Sequence, residues 1–84
     1  MSLASKWHAP AAQDLLEIPW QDASWISSEV NRLAEYGVGD VRRVVLSTGE
    51  RVFYLILAGY RVVVTFDRAR RIVHVWRVAR SSRT

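Results

Sequence analysis

The chain has 84 residues, half of them apolar, with a formal charge of +4 and no cysteine. That length makes a single domain, 1–84, and so short a chain buries only about 60–65% of the surface it exposes when unfolded. Lack of cysteine excludes disulfides and thiolate metal sites, and no apolar run approaches the roughly 20 residues that span a bilayer.

A cytoplasmic protein without a membrane partner is therefore expected. The start, MSLASKWHAPAAQ, has no apolar core of a signal peptide. Charge is unevenly placed. Residues 1–40 carry Lys6 and Arg32 against six carboxylates, a balance of −4, while residues 41–84 carry ten arginines against Glu50 and Asp67, a balance of +8. Such asymmetry points to a polyanion or an acidic partner meeting the C-terminal half; a merely soluble basic face has the same composition.

In chain order, Lys6–Ala9 reads as a short first strand. Pro10 suits the first turn of a helix, where its missing N–H costs nothing, and Ala11, Leu15, Leu16 and Ile18 give a helix over Pro10–Ile18 a partial apolar face. Pro19 ends it. A second helix spans Gln21–Tyr36, with Ala23, Ile26, Val30, Leu33 and Ala34 on one face and Asp22 as N-cap. Trp20 and Trp25, near the helix junction, are expected to pack. Gly37-Val38-Gly39-Asp40 stops the helix.

Val41–Leu46 reads as a strand and Ser47–Glu50 as a turn. Three antiparallel strands follow, Val52–Leu57, Tyr60–Phe66 and Ile72–Ala79, rich in Val, Ile, Phe, Tyr and Trp. Ala58-Gly59 permits a tight reversal. The predicted fold is α+β: two N-terminal helices packed on one face of a four-stranded, mostly antiparallel sheet.

Strict alternation sorts the strand residues into two faces. One holds Phe53, Leu55, Leu57, Tyr60, Val62, Val64, Phe66, Ile72, His74, Trp76 and Val78, and is expected to meet the helices; His74 then reads as a core histidine. The other collects Tyr54, Arg61, Thr65 and Arg77 and is expected to be open. Arg61, in a central strand, needs water or a partner for its guanidinium, and a phosphate fits that planar fork. Tyr54 is placed to stack a base or move a proton; Arg77 joins Arg61 as a phosphate ligand, and Arg51, Arg80 and Arg83 add charge that attracts a polyanion. His8 and His74 are not at a metal-ligand spacing with carboxylates. The sequence contains no phosphate-binding loop.

At GYRVVVTFD followed by RIVHVWRVAR, residues 59–67 and 71–80, the chain resembles the RelE/ParE superfamily of toxin–antitoxin toxins. AAQDLLEIP and a long helix ending EYGVGDVRRV are similar too, so the resemblance covers nearly the whole chain. It implies a type II toxin neutralised by a cognate antitoxin protein. It further implies either metal-independent mRNA cleavage on the ribosome, with no cofactor, or, for ParE-like members, inhibition of DNA gyrase; a degenerate, non-toxic binding protein is the remaining alternative. Arg61 matches the arginine that RelE-like nucleases use to hold the scissile phosphate, and the polyanion that Arg51, Arg80 and Arg83 attract is then RNA. Positions where those nucleases carry lysines are Val52 and Tyr54 here, the basic stretch after the last strand is reduced to Arg80 and Arg83, and the general acid and base are unassigned.

Overall fold

The computed structural model describes residues 2–81. Its elements are β1 (Ala4–Trp7), α1 (Ala9–Leu16), α2 (Trp20–Tyr36), β2 (Val41–Val45), β3 (Arg51–Leu57), β4 (Tyr60–Asp67) and β5 (Ile72–Arg80). The sheet has five strands in the order β1-β5-β4-β3-β2, not the four expected. The extra member is β1, which lies two residues earlier than the strand read at Lys6–Ala9 and pairs parallel with β5, Ala4 opposite Ile72 through Trp7 opposite Val75. The remaining pairs are antiparallel, as the meander predicts. Nothing in a four-residue segment announces a partner nearly 70 residues away, which is why the pairing was not legible.

The expected placement of the helices is corrected as well. A strand precedes them, and they seat on different strands, α1 against β5 and α2 against β1. Both contribute to one core, in which Ala11, Ile26, Val30, Leu33 and Ala34 meet Leu55, Tyr60, Val62, Val64, Val73, Val75 and Val78. α2 stops at Gly37, whose φ of 70° is the left-handed conformation that glycine adopts without a steric penalty. Asp22 is not the N-cap; Pro19 holds that position, and the Asp22 carboxylate instead accepts a 2.7 Å hydrogen bond from the Tyr60 hydroxyl. The two-residue turn at Ala58-Gly59 closes β3 onto β4 as read, with Gly59 at φ 83°.

Strict alternation fails in β5. From Tyr60–Arg80 to Val63–Arg77 the pairing with β4 keeps one register, and from Val64–Val75 onward it keeps another. Trp76 is the residue left over, a β-bulge in which two residues of one strand oppose one of the other. The slip lets Val73, Val75 and Val78 all point into the core, where they are 0%, 0% and 6% exposed. His74 accordingly stands on the open face, opposite Thr65, and the expectation of a core histidine is overturned.

β1 also ends before β5 does. His8 N–H still donates to the Val75 carbonyl at 3.0 Å, but the chain then enters α1. Asp14, one helical turn and a half on, takes over the edge. Its Oδ2 accepts the Val78 N–H at 2.8 Å, and its two oxygens accept Nε and Nη2 of Arg77 at 2.9 and 3.2 Å. The carboxylate thus satisfies a backbone donor that has no strand partner, and the Arg77 hydrogen bond, ahead of the one from Val78, holds its pKa below the ordinary 3.8. Because unfolding restores the ordinary value, this contribution to stability is complete above pH 3.8 and disappears as pH falls through the lower folded value. Replacing Asp14 by Ala is expected to cost about 1–3 kcal/mol, the penalty of an orphaned donor and a broken charge-assisted bond. Thermal melts at pH 7 will show this as a melting temperature lower by several degrees, and Asp14→Asn will flatten the acid limb of the wild-type stability curve.

Candidate nucleic-acid interface

The uncovered face of the sheet can be read across the strands from the register. Arg42 lies opposite Tyr54, Tyr54 opposite Val63, and Thr65 opposite His74 beside Lys6. Of the predicted site residues, Tyr54 and Arg61 come together here: the Arg61 guanidinium sits 5.2 Å from the centre of the Tyr54 ring, a cation–π pair that steers the fork without occupying its donors. Among the described residues Arg61 makes no ion pair, whereas Arg42 is paired with Asp40 at 3.3 Å. Arg61 therefore keeps its full hydrogen-bonding capacity for a ligand.

The other predicted residues are dispersed. Arg77 is tied to Asp14 at the sheet edge. Arg80 stands opposite Tyr60, on the helix side, with its guanidinium 5.5 Å from the Tyr60 ring centre and Nη1 donating to the Tyr60 oxygen at 3.5 Å. The Asp22 hydrogen bond, then burial, raises the pKa of that phenol above 10.0, so Tyr60 remains a neutral donor. Arg51 opens β3 and borders a hollow beside Trp76. Arg83 lies outside the described residues. Trp20, expected to pack, is 75% exposed, because the first residue of α2 falls outside the Ile26, Val30, Leu33, Ala34 stripe that meets the sheet.

A cluster that the sequence reading missed occupies the other end of the open face. His8 Nε2 and His74 Nδ1 are 2.8 Å apart, so one imidazole donates to the other. The His8 ring stacks on Trp76 with centroids 3.8 Å apart and planes 9° from parallel. The Trp76 Nε1–H donates to Thr65 Oγ1 at 2.8 Å. β1 and the start of α1 bring in His8, β5 supplies His74, and the bulge turns Trp76 outward beside it. The apolar spacing carried a signal for this: valines at 73, 75 and 78 step by two and then by three, the step of three being the bulge. Among the described residues no third histidine, cysteine or carboxylate joins the pair in a metal-binding group, so what the two rings offer each other is proton exchange.

No protein-family model matches the sequence, and no curated protein matches it. Solved structures do. A chain of the toxin–antitoxin complex RelBE2 from Mycobacterium tuberculosis superposes with a TM-score of 0.85 at 14% identity, over 99% of this chain and 95% of that one. A chain of the archaeal RelE–RelB complex from Pyrococcus horikoshii OT3 gives 0.79 at 16% identity over the full length of both. The fold is RelE-type. A third match, to the intact RelBE toxin–antitoxin complex of E. coli, has a TM-score of 0.62 at 13% identity, covering 98% of this chain and all of that one. The RelE-type fold accounts for the order of helices and strands, and among the described residues no helix is long and apolar enough to cross a membrane.

Burial first, then His74 and then Lys6, hold the pKa of His8 below the ordinary 6.5. The folded state thus favours neutral His8, and its contribution to stability is complete above pH 6.5 and declines as pH falls toward the lower folded value. An NMR titration of the imidazole resonances is expected to place the His8 midpoint below 6.5, and His74→Gln, which removes one of the depressing neighbours, will move it upward.

Proposed function

We propose that this protein is the toxin of a type II toxin–antitoxin module and that it cleaves messenger RNA on the ribosome without a metal, inhibiting translation in the cytoplasm. The observation that carries the reading is Arg61. It stands with free donors on the open face of a RelE-type sheet, beside an aromatic ring suited to hold a base or ribose. Single-stranded RNA is recognised through such pairings of a guanidinium for the phosphate with an aromatic face for the base.

In this reading Arg61, at the opposite end of the open face from the histidine pair, anchors the RNA by holding a phosphate away from the cleaved bond, with Tyr54 beside it. The histidine pair supplies the proton transfers. One imidazole takes the proton from a ribose 2′-hydroxyl as its oxygen bonds to the adjoining phosphorus. The bond from phosphorus to the 5′-oxygen breaks, and a proton from the other ring passes to that oxygen, leaving a 2′,3′-cyclic phosphate and a free 5′-hydroxyl. Arg51 and Arg80 contribute long-range attraction, and Arg77 serves mainly to hold α1 to β5. Arg83 adds charge to the same half.

A cognate antitoxin is the expected protein partner, a reading supported by structural neighbours that are toxin–antitoxin complexes. A cleft of about 650 Å³ between the end of α2 and the sheet, lined by Leu33, Tyr36, Phe53 and Phe66 with Arg68 at its rim, suits an amphipathic acidic segment of that antitoxin.

One observation favours a second reading, a ParE-like inhibitor of DNA gyrase without chemistry of its own. Val52, at a position where RelE-like nucleases carry a lysine, is apolar and only 8% exposed, so it supplies no reacting group there. Induced expression followed by mapping of mRNA 5′ ends separates the two. In-frame cuts on translated messages are expected for the wild type, reduced at least about 100-fold in His74→Gln, the scale of one lost proton-transfer group, and reduced also in Arg61→Ala, which loses the phosphate anchor. Growth arrest with intact messages and DNA damage would instead establish the gyrase reading.

A further inference from the structure

We propose that the hollow beside Trp76 is a slot for a nucleobase of single-stranded RNA, which stacks on the indole face turned away from His8. The inference rests on the RNA reading above and adds to it a site of base recognition.

The placement of the indole carries the argument. β5 lies between β1 and β4. His8, which follows β1, covers the indole from that side at 3.8 Å. The hollow lies toward the opposite side: Val63 and Thr65 come from β4, Arg51 and Val52 from β3, and Leu46 and Glu50 from the turn between β2 and β3. Trp76 is 39% exposed. A planar ring entering the hollow continues a stack that already runs from His8 to Trp76. The indole is held before any ligand arrives, by the Nε1–H bond to Thr65 and by the His8 ring, so little rotamer entropy is lost on binding.

Size and lining agree with this occupant. The hollow measures about 380 Å³, within the range of about 300–1,000 Å³ typical of small-molecule sites. Val52 and Val63 give it an apolar floor, and Glu50 and Arg51 give it a polar rim. The Glu50 carboxylate is acceptor-only, and the Thr48 hydroxyl steadies it from 3.4 Å. It selects bases that present N–H donors. Guanine matches best, offering N1–H and the 2-amino group side by side, whereas uracil offers a single N3–H flanked by two carbonyl oxygens that the carboxylate repels. The surrounding charge suits the rest of the strand: Arg51 stands at the rim, and Arg61 lies on the same face ~13 Å along β4 from Thr65, at ~3.3 Å per residue, within reach of a nearby phosphate of the same strand.

The test is fluorescence anisotropy of labelled five-nucleotide RNAs at low salt, with guanine or uracil at the centre, against the intact chain. The wild type is expected to prefer guanine. Trp76→Ala is expected to weaken binding about 5- to 150-fold, the worth of one base–aromatic stack, while Trp76→Phe retains most of the affinity. Glu50→Ala, an exposed change that leaves the fold intact, is expected to erase the preference for guanine. Circular dichroism verifies that Trp76→Ala is folded, and if it is not, Glu50→Ala and Trp76→Phe decide. Wild-type binding by the Trp76 and Glu50 variants, with binding lost only in Arg61→Ala, would overturn the slot and leave the RNA reading standing. A wild type that binds neither RNA would overturn both.

Discussion

β5 is nine residues long and β4, its partner, is eight. The mismatch is absorbed at one position, and much of the molecule depends on how. Side chains alternate with a period of two, so an inserted residue inverts the assignment of everything on one side of it. Without the insertion at Trp76, either Val78 or the pair Val73 and Val75 would face water. With it, all three line the core, and His74 and Trp76 stand on the other face. One local irregularity therefore reconciles a continuous core with a chemically furnished surface.

Around that irregularity, charge is divided between structure and ligand. Asp14 neutralises Arg77 and closes a backbone donor. Asp22 holds the Tyr60 hydroxyl, which in turn receives Arg80. Both acids come from the negative half of the chain and both bases from the positive half, so the opposition of −4 and +8 is spent partly inside the domain. Arg61 lies against an aromatic ring on the open face and makes no ion pair among the described residues. A net charge does not distinguish arginines that brace the fold from one that is available to a ligand; the partners do.

Much of this was legible in the chain. The helix stripes, the Gly37 stop, the turn at Ala58-Gly59 and the meander all follow from local chemistry, and Arg61 stood out because a cation inside a central strand demands an explanation. What was missed required contacts between distant residues. β1 is four residues with alternate exposure, and its parallel partner is at the far end of the chain. His8 was read as part of a short strand over Lys6–Ala9, and its role appears only once β1 brings it within 2.8 Å of His74. The face of His74 was misread because perfect alternation was assumed, although the two-then-three spacing of the valines recorded the slip.

The way α1 finishes the sheet has a consequence for assembly. Where β1 ends, the helix and its carboxylate occupy the flank of β5, and the Val78 amide is already engaged. A foreign strand finds no hydrogen-bonding template there. β2, the opposite margin, ends in solvent with Val45 exposed, and its backbone groups remain available for pairing. Growth of the sheet by accretion of another polypeptide is thus favoured along β2 over the part of β5 that lies beyond β1.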